Sequence, residues 1–330
     1  MEQHTPRQRA VGSRRTPDGR TEGSRPGRLA GRPRVLVWTA CAAVLAVALA
    51  GGFFSTAEAR TTAAATGFNP GSPGAGGSAS PSAGPSASAP ATAPAAPIDA
   101  ALDSKINAIL EANSQYQIGV ALVDVSSGVS SASDVHEYGV RDAFVAASTA
   151  KVLAAAAYYH LVETGAATLD DPLGAYTSGF QLREMIQQSD NDSWSLIMNA
   201  VGHAELTNYA ASIGVDYDPE TNTLTPAEMA TILAGVYSGT LLNAEDTAQL
   251  LSYMQDTNYE TLIPAAVPDG ITVFHKYGLL NAELHDVGIL AQGGTAYALV
   301  IYTKGEGLTD DPERSEVIRQ ITKTVAGTLF

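Results

Sequence analysis

Ser148-Thr149-Ala150-Lys151-Val152-Leu153-Ala154-Ala155-Ala156-Ala157-Tyr158-Tyr159-His160-Leu161-Val162-Glu163 precedes the stop signal Gly165. The run predicts a helix over about 148–163. Apolar residues lie almost all round it, which marks a helix buried on every side. Ser148 and Lys151 are three apart and share a face at its first turn. A lysine in apolar surroundings is costly to keep charged, so its pKa falls and it becomes available as a base. A serine at this point lies where helix N–H groups and the dipole favour a developing oxyanion. Taken alone, an ordinary helix start explains the pattern equally well, with Ser148 as cap and Lys151 reaching out to solvent.

Outward from this helix, residues 99–112 read as a first helix and Gln117–Val125 as a strand, ended by Ser126-Ser127-Gly128. A second strand is expected near His136–Val140. Shorter helices fit 181–188, 193–201, 204–212, 226–238 and 243–255. Strand-like runs follow at 271–276, 286–291 and 296–303, and Pro312 stands near the start of a last helix, 312–328. Strands therefore cluster at the two ends of the domain, with a block of helices between. That segregation predicts an α+β protein: an antiparallel sheet with the first and last helices, packed against an all-helical lobe. A site is expected in the cleft between the lobes.

The 330-residue chain is 45% hydrophobic and 16% charged, which argues against a wholly disordered or a polytopic membrane protein. Its net charge of −15 disfavours nucleic acid as a partner. The charge is unevenly spread: nine arginines and three acids occupy residues 1–34, whereas 31 acids face 10 bases beyond them. Residues 1–34 form a basic head too poor in apolar residues to fold, expected on the cytoplasmic side. Val35–Phe54 is a twenty-residue uncharged run, long enough to cross a bilayer. Ala57-Glu58-Ala59 after it has the small-x-small form of a cleavage site, so the segment is a cleaved signal or a single-pass anchor. Residues 55–97 are a linker rich in Ala, Ser, Gly and Pro. The globular domain is expected over 98–330, monomeric, and extracellular or at the cell surface. The one cysteine, Cys41, lies within the apolar run, so the exported part has neither disulfide nor thiol nucleophile.

Two further motifs follow the serine helix. Ser189-Asp190-Asn191 stands between QLREMIQQ and the helix from Ser193, where short polar residues are usually caps and turn formers. Lys276-Tyr277-Gly278 ends the strand-like ITVFH, and its glycine permits close approach of a ligand to backbone. Each is weak alone. Together, Ser-x-x-Lys, Ser-Asp-Asn and Lys-Thr-Gly (here with Tyr in the middle) are the marker set of class A β-lactamases and penicillin-binding proteins. Average residue frequencies put such an ordered coincidence at roughly one domain in a hundred.

On these motifs, and on Gly165–Leu173, Thr225–Ala230 and Tyr297–Thr303, residues 99–330 resemble a class A β-lactamase-type serine hydrolase. The resemblance implies a five-stranded antiparallel sheet flanked by the terminal helices. It implies that Ser148 becomes acylated, that Lys151 activates it, and that Ser189 relays a proton to the leaving nitrogen. Asn191 holds the substrate amide and Asp190 orients the loop. Lys276 supplies charge near the substrate carboxylate, which the residue at Tyr277 contacts. The N–H groups of Ser148 and Leu279, beside Gly278, form the oxyanion hole. No cofactor or metal is implied. The substrate is a β-lactam, opened through an acyl-serine. The alternatives are a penicillin-binding DD-peptidase acting on D-Ala-D-Ala cell-wall peptides, and a non-catalytic cell-surface binding domain.

The sequence departs from the family at several points. The gaps between motifs are shorter. In IGVDYDPETNTLT (213–225), Asp218 takes the place of the family's deacylating glutamate if the alignment holds. Glu220 is the other candidate, and a polar surface loop is the plain reading. Tyr277 replaces a small hydroxyl residue. No arginine follows Lys276 on the next two strands, leaving His275 or His285 as substitutes, although single histidines are more often structural. The six histidines form no His-Glu-x-x-His spacing, which speaks against a zinc enzyme.

Overall fold

The computed structural model describes residues 97–127, 134–307 and 312–330. The basic head, the uncharged run Val35–Phe54 and most of the linker lie outside the described residues. Among the described residues, no helix is long and apolar enough to cross a membrane.

Helix α1 (Ala100–Ala112) starts on Asp99, whose carboxylate accepts the N–H groups of Ala101 and Leu102. Strands β1 (Gln117–Asp124), β2 (His136–Gly139) and β3 (Phe144–Val145) follow, then α2 (Lys151–Glu163). The helical lobe continues through the short pair β4 (Pro172–Leu173) and β5 (Tyr176–Thr177), with α3 (Ser178–Gln187), α4 (Asn191–Val201) and α5 (His203–Ser212). After β6 (Thr223–Leu224) come α6 (Pro226–Tyr237) and α7 (Ala244–Tyr253). Strands β7 (Thr272–Leu280), β8 (Glu283–Gln292) and β9 (Thr295–Lys304) lead to α8 (Pro312–Leu329). Helix α6 begins with a reciprocal cap: Thr225 accepts the Glu228 N–H while the Glu228 carboxylate accepts the Thr225 N–H.

The five long strands form one antiparallel sheet in the order β2-β1-β9-β8-β7. Two-residue turns join β7, β8 and β9, and Asn281 and Gly293 in those turns take positive φ. Side chains alternate across the sheet. Val120, Leu122, Leu299 and Ile301 pack with Leu102 and Ile106 of α1 and Ile318 and Ile321 of α8. Ala121, Val123, Val300 and Tyr302 face the other way, into the core shared with the helical lobe. Helix α2 runs through that core, buried without a break from Lys151 to Tyr159. The four consecutive alanines 154–157 present little bulk, so neighbouring helices close in on every side.

The α+β architecture agrees with the sequence reading. Three local features differ. The first turn of the predicted serine helix is instead a 3-10 turn, Ala147–Ala150. Strand β7 runs four residues past Lys276, so the lysine is inside the strand and not at its end. The short pairs β3–β6 and β4–β5 have no counterpart among the predicted elements; β3–β6 joins Phe144 to Leu224 and Val145 to Thr223.

A buried ionic cluster ties β7 to the preceding loop. The His275 ring stands 2.9 Å from Asp286 Oδ1, 3.0 Å from Glu260 Oε1 and 2.9 Å from Thr257 Oγ1. Burial alone would pull this imidazole down, but Asp286 and Glu260 together raise its pKa to about 9. The unfolded value is about 6.5, so the cluster's contribution is complete below that pH and is lost as pH rises through 9. In urea unfolding across pH 6 to 10, the stability advantage of wild type over His275→Gln should therefore shrink above pH 6.5, by on the order of 2 kcal/mol after screening of half-exposed Glu260. A difference that stays constant across this range rejects the assignment.

Candidate active site

Ser148 stands on a turn fixed from all sides. The Ala146 N–H donates to Asn222 O at 2.8 Å, and Asn222 Nδ2 donates to Ala147 O at 3.1 Å. Thr149 Oγ1 donates to Ala146 O at 2.7 Å and lies 2.9 Å from the Tyr302 hydroxyl. His285 Nε2 reaches Val145 O at 2.9 Å while its Nδ1 accepts the Thr303 N–H at 3.0 Å, which sets a neutral tautomer. Burial holds this imidazole at about pKa 4. Ala147 has φ of 51°, a left-handed conformation costing an alanine about 1–3 kcal/mol, maintained here by these bonds. The helix proper is capped by Ala150 with no side-chain bond, so Ser148 is not its cap. Among the described residues the Ser148 hydroxyl and N–H have no hydrogen-bond partner.

Lys151 turns inward and is 2% exposed, which excludes the reading in which it reaches to solvent. Its Nζ donates to Ser189 O at 2.6 Å and Asn191 Oδ1 at 2.8 Å, with Asp190 O at 3.3 Å and Ser189 Oγ at 3.4 Å. Burial lowers its pKa to about 8 against the opposing charge of Asp190. The α3–α4 junction is shaped for this contact. Ser189 takes φ of 54°, and Asp190 caps α4 through the Ser193 N–H at 2.7 Å. The first two motifs thus meet at one ammonium.

The third motif supplies the opposite wall. Strand β7 is the sheet edge, and the His275 N–H leaves the sheet for Met254 O at 2.7 Å. Backbone groups alternate in direction along a strand, so the N–H groups of Tyr277 and Leu279 also face the open edge. A Cβ on Gly278 would lie 3.1 Å from Ala146 O and 3.3 Å from Ala147 Cβ. The glycine therefore lets the edge approach the serine turn. The unbonded Ser148 N–H and the outward Leu279 N–H are the two donors that an oxyanion would need there.

The other members of the set are placed differently from expectation. Lys276 is fully buried. Its Nζ bonds the Tyr277 carbonyl at 3.1 Å and lies 4.0 Å from the centre of the Tyr277 ring. Burial first, then the charge of Lys151, keep it well below the ordinary lysine range despite Asp286. Tyr277 packs against Leu262 and Ile263, with its hydroxyl at Asn258 and Ser189 beside the α3–α4 junction. Asp218 is exposed and folds back on its own loop, accepting the Glu220 N–H at 2.9 Å. Glu220 is 78% exposed and pairs with His203 at 2.9 Å. Neither carboxylate is among the residues that line the pocket over Ser148, where the deacylating base was expected. His275 and His285 are both buried in structural roles.

That pocket is lined by Ser148, Lys151, Asn191 and Leu279, and also by Ala147, Trp194, Asn222 and Leu280. The last four escaped the sequence reading. Asn222 is the most consequential: its left-handed φ of 51° and its carbonyl and amide bonds hold the serine turn, and Tyr217 OH fixes its Oδ1 at 3.0 Å. The asparagine at the end of Asp-Pro-Glu-Thr-Asn was the available signal, since asparagine tolerates that conformation.

An unbonded serine hydroxyl, a buried lysine of lowered pKa and two nearby N–H donors are the parts of a serine hydrolase. The model of the beta-lactamase enzyme family matches residues 101–329, and the chain belongs to that family. Among solved structures, PBP-A is similar at 25% identity and a TM-score of 0.62, over 69% of this chain and 95% of that one. The ancestral class A β-lactamase GNCA is 25% identical at a TM-score of 0.61, over 68% and 99%. The fold of the β-lactamase from Desulfarculus baarsii DSM 2075 also matches, at 24% identity and a TM-score of 0.61, over 69% and 97%.

If neutral Lys151 is the base for Ser148, acylation requires loss of the ammonium proton and speeds up as pH rises, with a midpoint near 8. Stopped-flow or mass-resolved acylation from pH 6 to 10 reads this midpoint. Lys151→Ala should slow acylation about 10²- to 10⁴-fold and abolish the midpoint. A flat wild-type profile rejects Lys151 as base.

Proposed function

We propose that this protein is a penicillin-binding serine acylase whose acyl-enzyme is long-lived, acting on β-lactams and on D-Ala-D-Ala-type amides. The observation that carries this reading is the pocket lining, which holds a nucleophile, a base and oxyanion donors but, among the described residues, no carboxylate. Acylation needs the first three. Ser148 Oγ attacks the carbonyl carbon as its proton passes to Lys151 Nζ, directly or through Ser189 Oγ, 3.4 Å from Nζ. The N–H groups of Ser148 and Leu279 receive the oxyanion. Collapse breaks the C–N bond, and the proton moves through Ser189 to the leaving nitrogen. Hydrolysis of the ester then needs a water deprotonated beside it. A positioned general base is worth about 10² to 10⁴-fold, so its absence turns a β-lactamase cycle into slow turnover. A single-substitution variant of PBP-A, a structural neighbour, has been solved as an acyl-enzyme complex with penicillin G.

The basic head, uncharged run and linker support export, with the domain anchored at the cell surface or secreted after cleavage near Ala59. The acidic composition of the exported part is consistent with a small-molecule or peptide substrate.

Intact-mass spectrometry after mixing with penicillin G tests the reading, with Ser148→Ala as control. The expected result is an adduct confined to the wild type that persists for many minutes. An adduct that decays while hydrolysed penicillin accumulates would make the protein a β-lactamase, with water activated from outside this pocket. Absence of any adduct with several β-lactam classes would end the acylase reading.

A further inference from the structure

Lys276 is an unusual ammonium. It is fully buried, and among the described residues its single hydrogen-bond acceptor is the carbonyl of its own neighbour, Tyr277. The Tyr277 ring lies 4.0 Å from Nζ, and its hydroxyl also interacts with Ser189, on the cleft side of the strand. That ring is itself 7% exposed and braced twice. Its hydroxyl donates to Asn258 Oδ1 at 2.7 Å, and Tyr259 packs against it with ring centres 4.9 Å apart. Asn258 is in turn held to the end of α3, through its N–H to Gln187 O at 3.1 Å and its Nδ2 to Gln188 O at 2.9 Å. The loop carrying Asn258 and Tyr259 is pinned to β7 where Thr257 and Glu260 meet His275.

Among the described residues, no other cation is available to a substrate anion in this cleft. From Tyr277 to Thr303 the sequence has neither arginine nor lysine, and Lys304 pairs with Glu283 at 3.3 Å. His285 is neutral, and the Lys151 donors are directed at the Ser189 and Asn191 oxygens. A carboxylate entering here would lose its hydration without gaining an ionic partner, and the acidic surface would repel its approach.

We propose that Tyr277 is a specificity-determining residue: its ring shuts the Lys276 ammonium off from the cleft, so the site favours acyl donors with no carboxylate beside the scissile amide. This rests on acylation of Ser148 as proposed above. It makes uncharged esters or amides, such as an internal peptide bond in place of a chain-terminal one, the preferred class.

Penicillin G and its methyl ester differ at that carboxylate, and intact mass resolves their adducts. With the full chain, the methyl ester should acylate Ser148 at least as fast as the free acid. Tyr277→Thr should shift the ratio toward the free acid by about tenfold or more, the usual worth of a hydrogen bond to a charged group. Asn258→Ala, which loosens the brace and keeps the ring, should shift it in the same direction by less, and serves if Tyr277→Thr fails to fold. A wild type that prefers the free acid tenfold, or variants that change both rates alike, would overturn the proposal while leaving acylation intact. If neither probe acylates Ser148, the acylase reading fails, and shielding is judged on its own by acetic anhydride labelling of Lys276, read in peptide mass spectra. Labelling confined to the variants upholds the shielding, whereas labelling in the wild type overturns it.

Discussion

The contact between Lys151 and the α3–α4 junction determines most of what surrounds it. A charged or polar nitrogen at 2% exposure requires acceptors, and the fold supplies them from a segment 38 to 40 residues away. Those acceptors exist because Ser189 adopts a left-handed conformation that turns its carbonyl toward Nζ. Asp190 stabilises the conformation by capping α4. The apolar helix that buries the lysine also lowers its pKa, so the element holding the core together prepares the base.

The nucleophile depends on the same economy of parts. Three non-glycine residues with positive φ lie at the site: Ala147, Ser189 and Asn222. Each is secured by bonds from a different element, so the strained turn of Ser148 is maintained by β3, β6, β8 and β9 together. Strain held in this way keeps Ser148 from settling into the helix cap that its sequence position suggests.

Residue type at fixed spacing made half the site legible from sequence. Ser148, Lys151, Ser189, Asn191 and Gly278 were readable as candidates because their residue types and spacing fall at helix starts, a helix junction and a strand, and the structure brings them together. What escaped depends on distant partners or on backbone conformation. Asn222 acts through its φ and through bonds to residues some 75 positions away. Tyr277 is held by Asn258, 19 residues earlier, and neighbouring Lys276 is fully buried, neither of which local sequence signals. Asp218 had the right chemistry, but its carboxylate found the Glu220 N–H in its own loop, and a local bond of this kind wins over a reach across a pocket. The length of β7 was underestimated because its second half is defined by pairing with β8, and pairing is not a local property. The order of the helices and of the five long strands was legible, since periodicity and turn residues agree there with tertiary packing, whereas the two-residue strands β3 to β6 carry no such signal.

Strand β7 has one further consequence, for solubility. An edge strand with outward N–H and C=O groups is a template on which another chain can pair, and proteins usually blunt such edges with charge, proline or bulges. Between Tyr277 and Leu279 this edge has none of these. Here the turn at Ala146–Thr149 stands against the strand at Gly278, where even a Cβ would lie 3.1 Å from Ala146 O, and so crowds the approach of another chain.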